Sequence, residues 1–423
     1  MSQSATSLAS RQPATLAEVA AAHPDVPRLI ILKTDVQRRG VFYSDRALSV
    51  LDPKIHSITG THIFGTRDGK IAPRPESLLL RDGTSIIITP TALEEDPYVV
   101  DLVDGQPFLF DGGQPLEAVD YWPAPAYYSK MSRSGVLMKN IVSARPQRLV
   151  VNPSRTCTFW NNGNGCGFCD IVPQTKKGTK ELNIPVTLDP VEVAEVVAEA
   201  LREPARFSAL FLTAGSNVGG AAPFDDEVET YVRVLREIGK LFRTKKFPSQ
   251  LMATAFTEAQ LQRIHDETGV MSYTADIEVL DEALFSHHCP GKAEWVGYEE
   301  WKRRLVRAVD VFGPGRVNTG IVAGIELAPP YGFATEDEAL SRILDEAEDL
   351  ARQGVSTVYI VWSPRPGSVL GKQRNPASLD YYIRLAKGLH ALRVEYRLPI
   401  MFDDYRHCGN HPDTDLSRLL NFD

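Results

Sequence analysis

The chain lacks any apolar run that approaches the roughly 18 residues of a membrane-spanning helix. Basic residues are also fewer than acidic ones: the chain has 46 Lys and Arg and 54 Asp and Glu, and its formal net charge is −8. That balance argues against a broad nucleic-acid surface. The first 25 residues hold a single arginine, Arg11, and no continuous apolar stretch, which is not typical of a targeting peptide. We expect a cytoplasmic protein that binds neither membranes nor nucleic acids.

Cysteine is scarce. Five cysteines in 423 residues are too few for the disulfide framework of a chain this long. Three of them, Cys157, Cys166 and Cys169, nevertheless fall within one short segment. In a reducing compartment such clustering indicates metal or redox chemistry rather than cross-linking.

The texture of the sequence changes along the chain. Residues 1–27 are rich in Ala and Ser, and we predict a loose N-terminal tail there. Residues 28–145 predict a mostly β N-terminal module and linker, because short apolar runs alternate with turn signals. The runs are residues 29–32, 78–80 and 85–89, and the turns are Asp68-Gly69, Asp82-Gly83 and Asp111-Gly112.

From residue 146 to 400 strand patterns alternate with amphipathic helix patterns. The predicted strands are residues 149–151, 209–213, 250–254, 271–279, 317–324 and 356–362. Six strand–helix units with right-handed crossovers predict an α/β fold, a partial (β/α)6 TIM-like barrel. Residues 401–423 form a C-terminal extension. In such barrels the chemistry lies on loops that leave the C-terminal ends of the strands.

The cysteine segment is the first of these loops. Three thiolates without an obvious fourth suit a four-iron cluster with one open iron, because thiolates are soft ligands. Gly163, Gly165 and Gly167 let the loop wrap closely around such a cluster. A structural zinc is one alternative, although the loop holds no histidine and the closest, His265, is distant in sequence. Three unligated core cysteines are the other alternative.

This loop resembles the cluster loop of the radical S-adenosylmethionine (SAM) superfamily. The two-residue gap before Cys169 and the aromatic Phe168 fit that family, whereas the eight-residue first gap departs from its usual three. Later segments resemble the biotin synthase-like group in the order that the predicted barrel requires. These segments are Asp276-Ile277-Glu278, Arg304-Leu305, residues 320–324 and residues 364–370.

The resemblance implies two cofactors, a [4Fe-4S] cluster held by the three cysteines and SAM bound to its open iron. An electron donor such as flavodoxin or ferredoxin would reduce the cluster, and a 5′-deoxyadenosyl radical would then take hydrogen from a small-molecule substrate. Lys176, Lys177 and Lys180 form a small basic cluster. We interpret this cluster as a solvated face, with docking of a reductant or of a phosphate-bearing substrate as the alternative.

The resemblance also implies a set of SAM contacts. They are Phe168, Thr213, Gly215, Ser216, Asp276, Glu278, Arg304, Gly324 and Ile325. Gly215 would let the backbone approach the methionine amine, with a plain strand-to-helix turn as the alternative. Gly324 and Ile325 would flank the adenine, with a packing role as the alternative.

Charged side chains are expected to hold the rest of SAM. Asp276 and Glu278 would accept hydrogen bonds from the ribose hydroxyls, and a surface salt bridge is the competing interpretation. Arg304 would pair with the SAM carboxylate through two parallel hydrogen bonds. Its neighbours Arg303 and Arg307 are alternatives for that role.

The reaction itself stays open at this level. Sulfur insertion is disfavoured because only Cys289 and Cys408 remain, and neither lies on an early strand. Rearrangement, methyl or carbon-fragment transfer, and C–C bond chemistry remain, and the long first gap keeps 3-amino-3-carboxypropyl transfer as an alternative. A non-catalytic iron–sulfur or zinc protein is the alternative from another class. His407, Cys408 and His411 lack a fourth metal ligand, so we expect a substrate-facing loop there.

Overall fold

The computed structural model describes residues 14–59, 66–67, 70–71, 74–75, 77–89, 91–145, 147–244, 246–398 and 409–420. Its helices are α1 (Leu16–Ala22), α2 (Arg28–Arg39), α3 (Asp45–Ser49), α4 (Ile171–Leu182), α5 (Pro190–Ala200), α6 (Asp225–Gly239), α7 (Glu258–Glu267), α8 (Glu282–His288), α9 (Pro290–Trp295), α10 (Tyr298–Phe312), α11 (Glu336–Arg352), α12 (Leu379–Glu395) and α13 (Pro412–Leu419). Within those ranges no helix combines the length and apolar character needed to cross a bilayer.

The strands divide between the two halves of the chain. Those of the first half are β1 (Val41–Tyr43), β2 (Ile58–Thr59), β3 (Thr66–Arg67), β4 (Lys70–Ile71), β5 (Arg74–Pro75), β6 (Ser77–Leu79), β7 (Ser85–Ile87), β8 (Tyr98–Val103), β9 (Gln106–Asp111), β10 (Gln114–Ala118) and β11 (Asp120–Tyr121). Those of the second half are β12 (Val142–Arg145), β13 (Arg148–Val151), β14 (Ala209–Thr213), β15 (Ser249–Met252), β16 (Ser272–Thr274), β17 (Val317–Ala323) and β18 (Val355–Val361).

The second half forms one sheet, in which β12 to β18 lie side by side in chain order. Strands β13 to β18 are parallel to their neighbours, and β12 pairs antiparallel with β13. Every residue of β17 is buried, as expected for a parallel sheet covered on both faces. The predicted α/β fold is therefore confirmed. Each of the six predicted strands overlaps one parallel strand of the sheet.

Local capping explains where several crossover helices begin. The Asp189 side chain accepts a hydrogen bond from the Glu192 amide, and Pro190 occupies the first turn of α5. Thr257 and Gln260 form a reciprocal capping box at the start of α7. These interactions use neighbours in sequence, and they place successive helices against the sheet.

The N-terminal strands have their own arrangement. One sheet has the order β1-β8-β9-β10 and another has the order β11-β6-β7. A separate apolar cluster lies beneath them, with Leu32, Tyr43, Leu78, Tyr98 and Leu109 among its buried members. The turns expected at Asp82-Gly83 and Asp111-Gly112 connect β6 to β7 and β9 to β10. The turn expected at Asp68-Gly69 lies outside the described residues.

Two sequence expectations in this region are wrong. Residues 29–32, expected as a β run, lie in α2, where Ile30 and Ile31 face the main core and Leu32 faces the N-terminal core. A short apolar run fits a doubly buried helix as well as a strand. The tail expected to be loose through residue 27 contains α1, which begins with a capping box formed by Thr15 and Glu18.

The C-terminal helix α13 covers the outer edge of β18. Arg393 of α12 is buried and donates to the Thr357 carbonyl at 2.9 Å and to Asp413 at 2.9 Å. His411 Nδ1 donates to the Tyr359 carbonyl at 2.9 Å. Burial lowers the pKa of His411 to about 3, so the ring is neutral. His411 therefore covers the backbone of β18, a strand at the edge of the sheet. His407 and Cys408, which the sequence grouped with His411, lie outside the described residues.

Candidate active site

The three cysteines occupy the connection between β13 and α4, at the C-terminal edge of the parallel strands. Their side chains are half-buried; the charge of Cys166 raises the pKa of both Cys157 and Cys169, and that of Cys157 raises the pKa of Cys169. Burial raises the pKa of Cys157 to about 11 and that of Cys169 to about 12. A hydrogen bond with Cys289, together with burial, raises the pKa of Cys166. Metal binding must therefore displace protons from buried thiols.

The three thiols are close enough for their charges to interact. Across the described ranges, no three His, Cys, Asp or Glu side chains are placed to hold a single metal ion. The thiolates of a four-iron cluster bind separate irons, so three neighbouring thiols on one glycine-rich loop suit such a cluster.

On one side, the cysteine loop packs against the segment that follows β14. The Thr158 amide and hydroxyl both donate to the Ser216 carbonyl, at 2.8 and 3.1 Å. A methyl group added to Gly215 would lie 2.3 Å from the Thr156 carbonyl oxygen and 2.6 Å from Cβ of Cys157. Glycine is therefore required at position 215, because the backbone that carries the first cysteine approaches it closely.

On its other side, the loop is bound by two later segments. The Gly167 amide donates to the His288 carbonyl at 2.8 Å, and the Gly167 carbonyl accepts from the Leu370 amide at 2.9 Å. The Gly291 amide donates to the Asn164 carbonyl at 3.0 Å. The α8–α9 junction and the loop after β18 therefore hold the cysteine loop in place. Segments distant in sequence meet here.

The two predicted ribose acids follow β16 and lie inside the molecule. Asp276 accepts a hydrogen bond from the Gly320 amide at 2.8 Å, and burial raises the pKa of its carboxyl. Glu278 accepts from Nζ of Lys292 at 2.8 Å. Burial raises the pKa of Glu278 to about 7, although Lys292 opposes that shift. The ion pair is internal, so the surface salt bridge considered for these residues does not describe Glu278.

Of the three candidate arginines, Arg304 is the one directed inward. Its guanidinium donates to the Ala255 carbonyl, just beyond β15, at 2.9 Å and to Glu300 at 2.6 Å. Arg303 pairs with Glu300 and Arg307 with Asp310, and both arginines are more than half exposed. The structure therefore favours Arg304 for any contact at the C-terminal edge of the sheet.

An apolar cluster adjoins the cysteine loop. Gly324 follows β17 with φ +100°, and a methyl group there would lie 2.3 Å from the Tyr382 hydroxyl oxygen. Ile325 is fully buried, and Phe168, next to Cys169, packs against the same cluster. Its other buried members are Val279, Leu284, Val322, Ala328, Trp362 and Leu370. Ile325 therefore packs in an apolar cluster that adjoins the cysteines, and the contact of Gly324 and Ile325 with the adenine stays a prediction.

Glu227, on α6, was missed by the sequence analysis. This buried carboxylate accepts from the Asn217 amide at 2.8 Å and from the Thr254 amide at 3.1 Å. The Thr254 hydroxyl also lies 2.7 Å from that of Ser216. Glu227 therefore joins the loops that follow β14 and β15. Its sequence position, an acidic first turn, resembles ordinary pairing with the helix dipole and gave no signal.

Comparison with known proteins adds one relative of described function. No protein-family model matches the chain. Bacteriochlorophyllide c C-7(1)-hydroxylase of Chlorobaculum limnaeum is 24% identical over 324 residues, which cover 73% of this chain and 76% of the hydroxylase. Among solved structures, a radical SAM methyltransferase of Sphaerobacter thermophilus is 16% identical with a TM-score of 0.41, covering 90% of this chain and 92% of that one.

A further structure, that of HydG, a maturase of the [FeFe]-hydrogenase, is 14% identical with a TM-score of 0.39. The match covers 63% of this chain and about half of HydG, 52%.

The cysteine loop lies where its resemblance to the radical SAM enzymes predicts. The three thiols follow β13, the first parallel strand of the sheet, and the relative described above covers nearly three quarters of the chain. The [4Fe-4S] cluster, SAM and the individual SAM contacts remain predictions.

Proposed function

We propose that this protein is a radical SAM enzyme, which binds a [4Fe-4S] cluster and SAM and generates a 5′-deoxyadenosyl radical that abstracts hydrogen from a small-molecule substrate. When bound and reduced, the cluster supplies the electron that cleaves SAM. The observation that carries the proposal is the interaction of the Cys157, Cys166 and Cys169 thiols with one another, together with the internal carboxylates Asp276 and Glu278 that follow β16. The protein supplies position and excludes water.

We propose that different residues of the chain bind the cluster and the separate parts of SAM. The three cysteines hold the cluster, and the backbone at Gly215 stands directly against the loop that carries them. Glu278 and Asp276 are proposed to accept from the ribose hydroxyls. Arg304 is proposed to bind the carboxylate end, and Ile325 is proposed to contact the adenine. Glu278 accepts from Lys292 and Asp276 accepts from the Gly320 amide, which supports a role for both acids in fixed positions.

We also propose that β13 to β18 curve into the partial (β/α)6 barrel expected from the sequence. Their parallel order supports this architecture, and a bridge between Glu278 and Ile321 extends the pairing of neighbouring chain segments beyond β16. The separate apolar cluster of the N-terminal strands supports the proposed division into a module of residues 28–145 and a barrel of residues 146–400.

The electron donor is proposed to be a small acidic protein of the flavodoxin or ferredoxin class. Helix α4 begins two residues after Cys169, and it exposes Lys176 and Lys180 to solvent. Basic side chains beside the cluster loop favour an acidic partner, because complementary charge speeds encounter. We place the reaction in the cytoplasm, whose reducing conditions suit free thiols.

The nucleoside product tests the proposed reaction. Reconstituted enzyme incubated with SAM and dithionite without oxygen is expected to release 5′-deoxyadenosine, resolved by chromatography and mass spectrometry. The relative's name describes hydroxylation at a carbon, which supports hydrogen abstraction over carbon-fragment transfer. Methylthioadenosine as the main enzyme-dependent product would instead establish 3-amino-3-carboxypropyl transfer. Neither nucleoside from a protein with an intact cluster would favour a structural or sensing role.

Substitution of Arg304 tests the proposed SAM contact. Arg304→Ala is expected to weaken SAM binding by roughly tenfold to a hundredfold, because losing a charge-assisted hydrogen bond costs about 1.5–3 kcal/mol. Arg303→Ala, one position away and exposed, is the matched control and should bind SAM like the wild type. Equilibrium binding to cluster-loaded protein measures both. Equal affinity of the two variants would show that Arg304 does not hold the carboxylate.

A further inference from the structure

Lys292 is a lysine buried next to the cysteine loop. It lies in the short helix α9, three residues after Cys289, and is 8% exposed. Its Nζ donates to Glu278 at 2.8 Å and to the Asp276 carbonyl at 2.5 Å. Removing an ammonium group from water is costly unless partners replace the water. Glu278 and the Asp276 carbonyl therefore replace water around the buried ammonium group of Lys292.

An aromatic ring also contacts the ammonium group of Lys292. Nζ of Lys292 lies 4.7 Å from the ring centroid of Trp301, a distance that allows a cation–π contact. The indole nitrogen of Trp301 donates to the Ala275 carbonyl at 3.1 Å. The ring is thus fixed to the segment that carries Asp276. Cation, ring and acid-bearing segment form one connected unit.

The helix that carries Lys292 also contacts the cysteine loop. The amide of Gly291, the residue before Lys292, donates to the Asn164 carbonyl at 3.0 Å, and the His288 carbonyl accepts from the Gly167 amide at 2.8 Å. The cation therefore lies close to the cysteine loop as well as to the carboxylate of Glu278. Among the lysines of the described ion pairs, Lys33 and Lys302 are also well shielded, but they pair with α13 and α11 respectively.

The backbone of Glu278 also marks this place. Its φ is +72°, a left-handed conformation that is uncommon for a residue with a side chain. Such conformations persist where the surroundings over-determine them, and they cluster at ligand sites. The pairing with Lys292 holds the Glu278 carboxylate in this position. An ionised carboxylate has only acceptors to offer, which suits sugar hydroxyls.

We infer that Lys292 is a positioning residue that orients Glu278 toward the ribose of SAM and places a positive charge beside the cysteine loop. The inference rests on the proposed function. Two measurable consequences follow. Loss of the cation should weaken SAM binding, because Glu278 loses the partner that orients it. It should also make the cluster harder to reduce, because a nearby positive charge stabilises the more negative, reduced state.

The test uses reconstituted holoenzyme with Lys292 changed to Met, Gln or Arg. Lys292→Met should weaken SAM binding by about tenfold or more and shift the cluster midpoint potential to a more negative value. Lys292→Arg keeps the charge and should restore the potential largely to that of the wild type. SAM binding is measured at equilibrium, and the potential is measured by a redox titration followed by EPR.

Lys302→Met is the matched control. Lys302 is similarly shielded, pairs with Glu346 at 2.7 Å and lies 5.6 Å from the ring of Tyr298, but it belongs to α10 and pairs with α11. Its loss should leave SAM affinity and potential unchanged. If Lys292→Met fails to retain the cluster, Lys292→Gln carries the test through the midpoint potential, because its amide can still donate to Glu278 but the charge is gone.

The outcomes separate the two proposals. Wild-type SAM affinity and potential in a cluster-loaded Lys292→Met variant, or a wild-type potential in Lys292→Gln, would overturn the role of Lys292 and leave the proposed function intact. Equal changes in Lys302→Met would reduce the effect to general destabilisation and would also overturn it. A wild-type enzyme that neither binds nor cleaves SAM would overturn the proposed function itself.

Discussion

Replacing any one of Cys157, Cys166 or Cys169 with Ala is expected to abolish iron binding and all SAM cleavage. Each thiolate would hold a separate iron, so the loss of one leaves a second iron without a protein ligand. The anaerobically purified wild-type protein should carry about four irons per chain. Iron and sulfide analysis, with EPR of the reduced protein, measures the loss. A wild-type protein that binds one zinc and no iron would contradict the assignment.

Cys289→Ala is the control within the same site. Cys289 is fully buried and hydrogen-bonds Cys166, but it lies on the α8–α9 junction rather than on the cysteine loop. This variant should keep its iron, because three loop ligands remain. Loss of the cluster in Cys289→Ala, with retention in one of the loop variants, would mean that the ligand set includes Cys289.

Gly215→Ala is expected to remove most of the bound iron without touching a ligand. The new methyl group would lie 2.3 Å from the Thr156 carbonyl oxygen and 2.6 Å from Cβ of Cys157. Backbone atoms cannot yield as a flexible side chain can, so the first cysteine must shift. Overpacking of this kind costs about 1–3 kcal/mol in stability. Iron content and thermal unfolding of the reconstituted variant measure the effect.

Gly167→Ala supplies the matched comparison, because it adds the same methyl group within the cysteine loop. Its nearest neighbour there would be the Leu370 side chain at 3.6 Å, an ordinary van der Waals contact. This variant should retain its iron and its unfolding temperature. Full iron content and wild-type stability in Gly215→Ala would show that the loop after β14 can move away from the cysteines.

Much of the fold could be predicted because its signals are local. The capping box of Thr257 and Gln260 involves residues three positions apart, and it began a helix where the pattern predicted one. Continuous apolar runs also predicted the buried strands, and β14 has the predicted bounds. The predicted strand over residues 271–279 is shorter in the structure, because regular pairing ends after Thr274 and Glu278 adopts a positive φ.

The secondary structure was ambiguous where one short apolar pattern fits both a strand and a helix buried on two sides. The apolar run at residues 29–32 matched a strand, yet α2 lies between two cores and needs apolar residues on both faces. Periodicity cannot separate a doubly buried helix from a strand over so few positions. Only the packing of α2 between the N-terminal strands and the main sheet decided its conformation.

The sequence by itself determined which functional side chains are present and in what order. These are three thiols on a glycine-rich loop, and the acids and arginine that follow later strands. The tertiary structure alone decided which charges meet. Lys292 and Glu227 carry no sequence signal, because a lysine in a short helix and a glutamate in an acidic first turn are ordinary surface patterns. They became buried partners of Glu278 and of Thr254 because parallel strands bring their C-terminal ends to one edge.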